Sequence, residues 1–247
     1  DNWLAAVATD WWSAERALSL IAPRFAAEQR AESAGIDKAL GEALLTGTAT
    51  RIAEVGEPDK WLAEHFDHVA HYTVAPAVHA TLETATATAR FKDGQLELWA
   101  ASQSPQAARR KAAAALGIAA EQVVLYPMPA GGSFDRRLES DHLAEAALIA
   151  REVKRPVQLM WSRWQEQVAG LPRTPLKAVL AARTAPDGTL TALKIRVAMP
   201  ATAQEFGQRL FANAAPRAAL EVQERGDPLA MAGMLPSYAI PNLVVEH

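Results

Sequence analysis

Between residues 84 and 100 the sequence leaves the backbone little freedom. Thr84, Thr86 and Thr88 alternate with Ala85, Ala87 and Ala89, and Lys92-Asp93-Gly94 then leads into Leu96-Glu97-Leu98-Trp99. A period of two sets the threonines on one face of a strand and the alanines on the other. Asp-Gly is a strong turn signal between two such runs, because both positions of a tight hairpin turn need positive φ. A hairpin is expected here. The residues that follow predict a helix, with Ser104 at the N-cap, Pro105 at the first helical position and Gly117 at the left-handed position past its end. A strand over 123–126 comes next. Hairpins and helices interleave, so the fold class is α+β, with mixed sheets and packed helices.

The rest of the chain keeps this alternation. Residues 1–9 read as the tail of a strand, Asp10 as the cap of a helix running to about residue 20, and residues 30–46 as a second helix ending near Gly47. Gly56-Glu57-Pro58-Asp59, within 47–62, is a loop signal and the best candidate domain boundary. A glycine-containing loop at 130–135 leads into a helix expected over 137–154, which stops before Pro156. Residues 157–161 read as a short strand. A second hairpin is expected from 177–184 and 190–199, turning at Pro186-Asp187-Gly188. Residues 203–236 read as helix and loop, and 238–246 as a last strand.

Composition narrows the chemistry. Of 247 residues half are apolar and 21% charged, enough for a proper core, and alanine makes up about a fifth of the chain. With a formal charge of −3 no global field draws in nucleic acid or anionic lipid. The chain has no cysteine, which excludes thiol catalysis, disulfides, Cys-ligated zinc and Cys-ligated iron–sulfur clusters within it. No apolar run approaches the ~20 residues that a membrane-spanning helix needs. Both ends stop in what reads as the middle of an element, so the sequence is expected to be an internal piece of a longer polypeptide.

Several constellations invite a chemical reading. His65, His68 and His71 are spaced by three, but on a strand that spacing sends successive histidines to opposite faces, and a metal site is rejected. His79 and Glu83 are four apart and could share a proton on a helix, yet read better as a structural pair. Arg109-Arg110-Lys111 reads as a solvated face, without the interleaved aromatics that base stacking needs. No Ser-His-Asp set, Walker loop or dinucleotide-binding glycine motif is present. Ala130-Gly131-Gly132-Ser133-Phe134-Asp135-Arg136-Arg137 is more informative. Paired glycines permit close approach to a ligand, and backbone N–H groups ahead of a helix can hold an anion or oxo group. Arg136 and Arg137 add charge suited to phosphate or carboxylate, while an ordinary glycine turn with solvated arginines explains the same residues.

Four stretches, in this order and spacing, resemble the molybdopterin-binding large subunit of the xanthine oxidase and aldehyde oxidase superfamily, of the isoquinoline 1-oxidoreductase beta-subunit type. They are His79-Ala80-Thr81-Leu82-Glu83, Trp99 to Ala108 around Ser102-Gln103-Ser104-Pro105, Gly131-Gly132-Ser133-Phe134-Asp135-Arg136-Arg137-Leu138-Glu139, and Ser237-Tyr238-Ala239-Ile240-Pro241-Asn242. The segment ending Pro156-Val157-Gln158-Leu159-Met160-Trp161-Ser162-Arg163 fits as well. The resemblance implies that Gln103 lies beside the molybdenum. It further implies that Gly131, Gly132, Ser133, Phe134, Asp135 and Arg136 form the loop whose backbone amides support the cofactor. Two positions depart from the family's glycine loop: Ser133 replaces its third glycine, and Asp135 the glycine after phenylalanine. Asp tolerates a left-handed backbone better than most residues, but its carboxylate would repel an anionic centre.

The resemblance also implies the biology. Residues 1–55 are expected to be the trailing part of a small N-terminal α+β domain, and 60–247 the first, partial molybdenum-binding domain. The parent protein is expected to oxidise an aldehyde or hydroxylate an N-heterocycle with oxygen from water. It would carry molybdopterin cytosine dinucleotide with molybdenum and pass electrons to an iron–sulfur small subunit. No catalytic residue and no direct metal ligand is assigned within this chain, because the family's glutamate base lies outside it. Nucleic acid is not an expected partner. A location in the periplasm is favoured over the cytoplasm by resemblance alone. The competing reading is a non-catalytic paralogue that keeps the fold as a scaffold or interaction module.

Overall fold

The computed structural model describes residues 3–26, 32–202, 206 and 226–247. In chain order these form α1 (Trp11–Ile21), α2 (Ser33–Thr46), β1 (Arg51–Val55), α3 (Pro58–Leu62), β2 (His68–Val74), β3 (Thr86–Lys92), β4 (Gln95–Ala100) and α4 (Pro105–Leu116). They continue with β5 (Val123–Pro127), α5 (Asp141–Val153), β6 (Val157–Met160), α6 (Arg163–Ala169), β7 (Leu176–Thr184), β8 (Leu190–Ala198) and β9 (Asn242–Glu246). The chain divides into two compact units, each built from two stretches: Asp1–Arg30 with Val78–Pro172, and Ala31–Ala77 with Arg173–His247.

The first unit holds a sheet in the order β5-β4-β3-β6. Lys92 lies opposite Gln95, so Asp93 and Gly94 alone make the turn, at φ 51° and 77°. That is the doubly left-handed turn whose twist matches two paired strands. Ala85, Ala87 and Ala89 are buried, and Thr84, Thr86 and Thr88 between them are half-buried. β4 pairs in parallel with β5, and α4 is the crossover. Ser104 stands at the N-cap of α4 without a side-chain cap bond, and Gly117 ends the helix at φ 68°.

The core of this unit joins Leu96, Leu98 and Leu143 to Ala87, Ala89, Ala108, Ala112, Ala146, Ala147 and Ala150. Methyl side chains on both the sheet and the helices let α4 and α5 lie close to the strands. The alanine excess is therefore a packing feature as well as a helix preference. At the other end of the unit, Asp10 Oδ1 accepts from the Ser13 N–H at 2.8 Å and caps α1 as expected. Residues 3–8 form no strand, contrary to expectation. α5 starts at Asp141 rather than 137, because Arg136–Leu138 forms a separate 3-10 turn.

The second unit holds a sheet in the order β1-β9-β8-β7-β2. β7 and β8 form the second hairpin, with Gly188 at φ 85° in its turn, and β9 runs parallel to β8. Every residue of β9 is buried, and Leu243 and Val245 pack with Ile195, Val197, Met231 and Ile240. Residues 47–62 carry β1 and α3, not only a loop, and Gly56-Glu57-Pro58-Asp59 lies inside this unit. The last strand covers Asn242–Glu246, less than the expected 238–246. Most of 203–236 lies outside the described residues. Among the described residues no helix is long and apolar enough to cross a membrane.

Candidate functional site

Parallel pairing of β4 and β5 sets the loops that leave their C-terminal ends side by side, which is where open α/β sheets hold ligands. Two backbone bonds lock these exits together. The Met128 N–H donates to the Ala100 carbonyl at 3.2 Å, and the Gln103 N–H donates to the Arg137 carbonyl at 2.9 Å. Gln103 is thereby joined to Arg137, the residue that follows the 131–136 stretch. The Gln103 side chain is exposed there.

The loop itself is close-fitting. The Gly131 N–H donates to Glu83 Oε2 at 2.9 Å, and its carbonyl accepts from the Glu83 N–H at 3.0 Å. A Cβ at Gly131 would lie 2.6 Å from the Cβ of Glu83, so glycine is required by this internal contact. Gly132 sits at φ 99°, and Phe134 and Asp135 follow at φ 50° and 73°. Consecutive left-handed residues other than glycine cost about 1 kcal/mol or more each, a strain that surrounding contacts must hold. The Arg136 N–H donates to the Ser133 carbonyl at 2.8 Å, and the Leu138 N–H to that of Asp135 at 3.2 Å. Among the described residues, the N–H groups of Gly132, Ser133, Phe134 and Asp135 donate to no acceptor. Phe134 and Asp135 are exposed, and Gly131, Gly132 and Ser133 are half-buried.

The two arginines are not solvated. Arg136 Nε donates to Glu166 Oε1 at 2.6 Å, with both side chains 6% exposed, and its guanidinium lies 5.6 Å from the Trp161 ring centroid. The other carboxylate oxygen of Glu166 accepts from the Ala85 N–H at 2.6 Å. Arg137 is buried and donates to the carbonyls of Glu83 and Thr84 at 2.9 and 3.2 Å, with Glu83 Oε2 at 3.4 Å. Burial pushes its acidity up despite the neighbouring carboxylates. Behind them His142, in the first turn of α5, packs edge-on to Trp161 at 6.1 Å. Among the described residues its ring nitrogens have no hydrogen-bond partner. Burial first, then Arg137 and Arg136, hold its pKa down to about 3.

Other residues singled out in the sequence have simpler roles. Glu83 does not share a helix with His79; it braces the glycine loop. His68 and His71 lie exposed on β2, and His65 Nε2 is 3.3 Å from Asp67. Among the described residues no His, Asp or Glu cluster is placed to hold a metal ion. Arg109 is structural rather than solvated, donating to the carbonyls of Val123 and Ala120 at 3.0 and 2.8 Å. Sequence reasoning misses Glu166. The Ser162-Arg163-Trp164-Gln165 segment is a capping box that starts α6, and it is the signal that places Glu166 in the helix's first turn.

Loop amides that donate to no acceptor among the described residues, in a stretch joined to Gln103 through Arg137, suit an anionic, oxygen-rich group such as an oxo ligand or a pterin phosphate. The buried Arg136 is already paired with Glu166, and the exposed Asp135 adds a negative charge to the loop.

Comparison with known proteins identifies the family. The family model described as a molybdopterin cofactor-binding domain matches residues 45–220. The chain is 37% identical over 91 residues to the beta subunit of isoquinoline 1-oxidoreductase from Brevundimonas diminuta, covering 37% of this chain and 11% of that protein. It is 26% identical over 198 residues to a subunit of nicotinate dehydrogenase from Pseudomonas putida, covering 79% of this chain and 16% of that protein. It therefore spans about a sixth or less of the length of these relatives. The fold is similar to the aldehyde oxidoreductase of Desulfovibrio desulfuricans, with a TM-score of 0.63 and 17% identity over 90% of this chain and 24% of that one. The aldehyde oxidoreductase of Desulfovibrio gigas gives a TM-score of 0.58 and 22% identity over 81% of this chain and 20% of that one. With the family model spanning most of the sequence, the chain belongs to the molybdopterin cofactor-binding domain family, within the molybdenum hydroxylases of the xanthine oxidase and aldehyde oxidase type.

Proposed function

We propose that this chain is part of the large subunit of a molybdenum hydroxylase that oxidises an aldehyde or hydroxylates an N-heterocycle, taking the oxygen from water. The observation that carries this reading is the junction of Gln103 with the glycine loop through the bond to the Arg137 carbonyl. It ties the backbone of Gln103, whose side chain is exposed, to the residue after a loop whose amides donate to no acceptor among the described residues. The bound molybdopterin group, as the cytosine dinucleotide, supplies the redox chemistry. The residues of this chain bind and orient it. The Gln103 amide would hydrogen-bond the group, Gly132 to Asp135 would offer N–H donors, and the buried Arg136–Glu166 pair would hold the turn after the loop in place. The names of the similar proteins, which are subunits, support a separate partner subunit, and iron–sulfur clusters on that partner are part of this proposal. That assignment accords with the absence of cysteine here.

A second reading, a non-catalytic paralogue acting as a scaffold, is favoured by one observation: Asp135 places an exposed carboxylate where an anionic group would approach. Molybdenum and pterin content decide between them. The full-length polypeptide containing this chain is co-expressed with its small subunit and the cofactor-synthesis machinery, and metal and pterin are measured per chain. About one molybdenum per chain is expected. A folded protein without metal, from cells in which a related enzyme is loaded, overturns the catalytic reading and leaves the scaffold.

A further inference from the structure

The strained stretch from Gly132 to Arg136 is fastened at both ends by one residue. At its entry, Glu83 bonds Gly131 twice, accepting from its N–H through Oε2 at 2.9 Å and donating its own N–H to the Gly131 carbonyl at 3.0 Å. At its exit, the buried Arg137 reaches back to the Glu83 carbonyl at 2.9 Å and to Oε2 at 3.4 Å. The buried Thr81 adds a third tie, its hydroxyl donating to the Glu83 carbonyl at 2.7 Å. Gly131 has no room for a side chain because it lies against Glu83. Between the two anchors, Phe134 and Asp135 hold left-handed backbone that L-residues seldom keep without outside restraint.

We propose that Glu83 is a positioning residue: its carboxylate, accepting from Gly131 and facing Arg137, holds the left-handed loop in the form that presents the Gly132–Asp135 amides to a bound cofactor. The geometry stands by itself; its bearing on the cofactor rests on the function proposed above. Main-chain bonds of residue 83 survive any substitution there, so the side chain can be tested alone. Glu83→Ala removes both the acceptor for Gly131 and the partner of Arg137. Glu83→Gln keeps an acceptor oxygen and loses only the charge.

The test is hydrogen exchange, residue by residue, on the 247-residue chain, paired with molybdenum content of the full-length polypeptide. The amides to watch are Arg136, Leu138 and Gln103, whose acceptors are carbonyls of Ser133, Asp135 and Arg137 that the Glu83 side chain does not touch. In Glu83→Ala they exchange at least about tenfold faster while strand amides of β3 and β4 stay unchanged. Glu83→Gln lies closer to the parent, and molybdenum per chain follows the same order. Unchanged exchange at the three amides overturns the proposal, as does equal acceleration throughout the first unit, which marks general destabilisation. Faster loop exchange with undiminished molybdenum overturns the link to the cofactor. If the loop responds but the unsubstituted polypeptide binds no molybdenum, the hydroxylase reading falls and the positioning role stands.

Discussion

The guanidinium of Arg136 and the carboxylate of Glu166 form a 2.6 Å ion pair in which both side chains are 6% exposed. Glu166 comes from α6 and Arg136 from the turn after the glycine loop, and the second carboxylate oxygen takes the Ala85 N–H at 2.6 Å. Removing one partner of a buried pair strands the other charge, which costs more than the pair contributes. Glu166→Ala is therefore expected to destabilise the chain by about 3–5 kcal/mol. Glu166→Gln, which still accepts from Ala85, is expected to cost about 1–3 kcal/mol. Urea unfolding measures both. A loss below about 1 kcal/mol for the alanine variant would show that the pair is not buried as described.

His142 gives the chain a pH dependence with a defined sign. Its native pKa is held down to about 3 from an ordinary 6.5, first by burial and then by the two arginines. Below pH 6.5 the unfolded chain takes up a proton that the native chain refuses, so stability falls as pH falls towards 3. The slope reaches about 1.4 kcal/mol per pH unit from this residue alone. Above 6.5 its contribution is constant. His142→Phe is expected to flatten the profile between about pH 4 and 6.5, measured by urea unfolding at several pH values. Among the described residues both ring nitrogens lack partners, so the substitution strands no hydrogen bond. Superimposable profiles for the two proteins would place a charged histidine in the native state.

Legibility in the sequence follows the range of the interaction. The Asp93-Gly94 and Asp187-Gly188 turns, the Asp10 cap and the Pro105-to-Gly117 helix depend on neighbours within a few residues, and the structure has all of them. β1 reads as loop in the sequence because what makes it a strand is β9, far along the chain, with Arg51 opposite Glu246. Residues 3–8 have strand-like sequence but no partner strand. The sequence names candidates for the site, and the structure joins the Gln103 backbone to Arg137, the residue after the 131–136 loop. The contacts within the loop are not legible. In sequence Gly131 makes room for a ligand, whereas in the structure its clearance is taken by Glu83. Arg136 suits phosphate as a bare cation, yet its charge is met by Glu166, thirty residues later in sequence. Single-sequence patterns carry turn and cap chemistry, and they do not carry which buried charges find each other.

The same contact gives a prediction at Gly131. A methyl group there would fall 2.6 Å from Glu83 Cβ and 3.2 Å from its N, closer than such atoms pack, so backbone must move. Gly131→Ala is expected to cost about 1–3 kcal/mol, as overpacking does. Gly188 is a control of opposite character, with φ 85° and open space around its would-be Cβ. Gly188→Ala carries only the left-handed penalty, about 1 kcal/mol. Thermal unfolding of both variants separates close approach from backbone strain. No loss at Gly131 would show that it is under no steric constraint from Glu83.

Asp135 separates charge from backbone in the loop. It stands at φ 73°, where Asn is as well suited as Asp and Gly is unstrained. Asp135→Asn removes the carboxylate and keeps the left-handed preference, and Asp135→Gly also removes the side chain. Both are expected to stay within about 1 kcal/mol of the parent, because the relief of strain by glycine is offset by the added freedom of its unfolded chain. Asp135→Ala removes the charge and adds strain, losing about 1 kcal/mol. If the carboxylate opposes an anionic cofactor, the Asn and Gly variants of the full-length polypeptide carry more molybdenum per chain than the parent, and the two rise alike. A rise in the Gly variant alone would assign the effect to the backbone. No rise in either, with the parent already loaded at about one molybdenum per chain, would show that this departure from the family's glycine loop is tolerated.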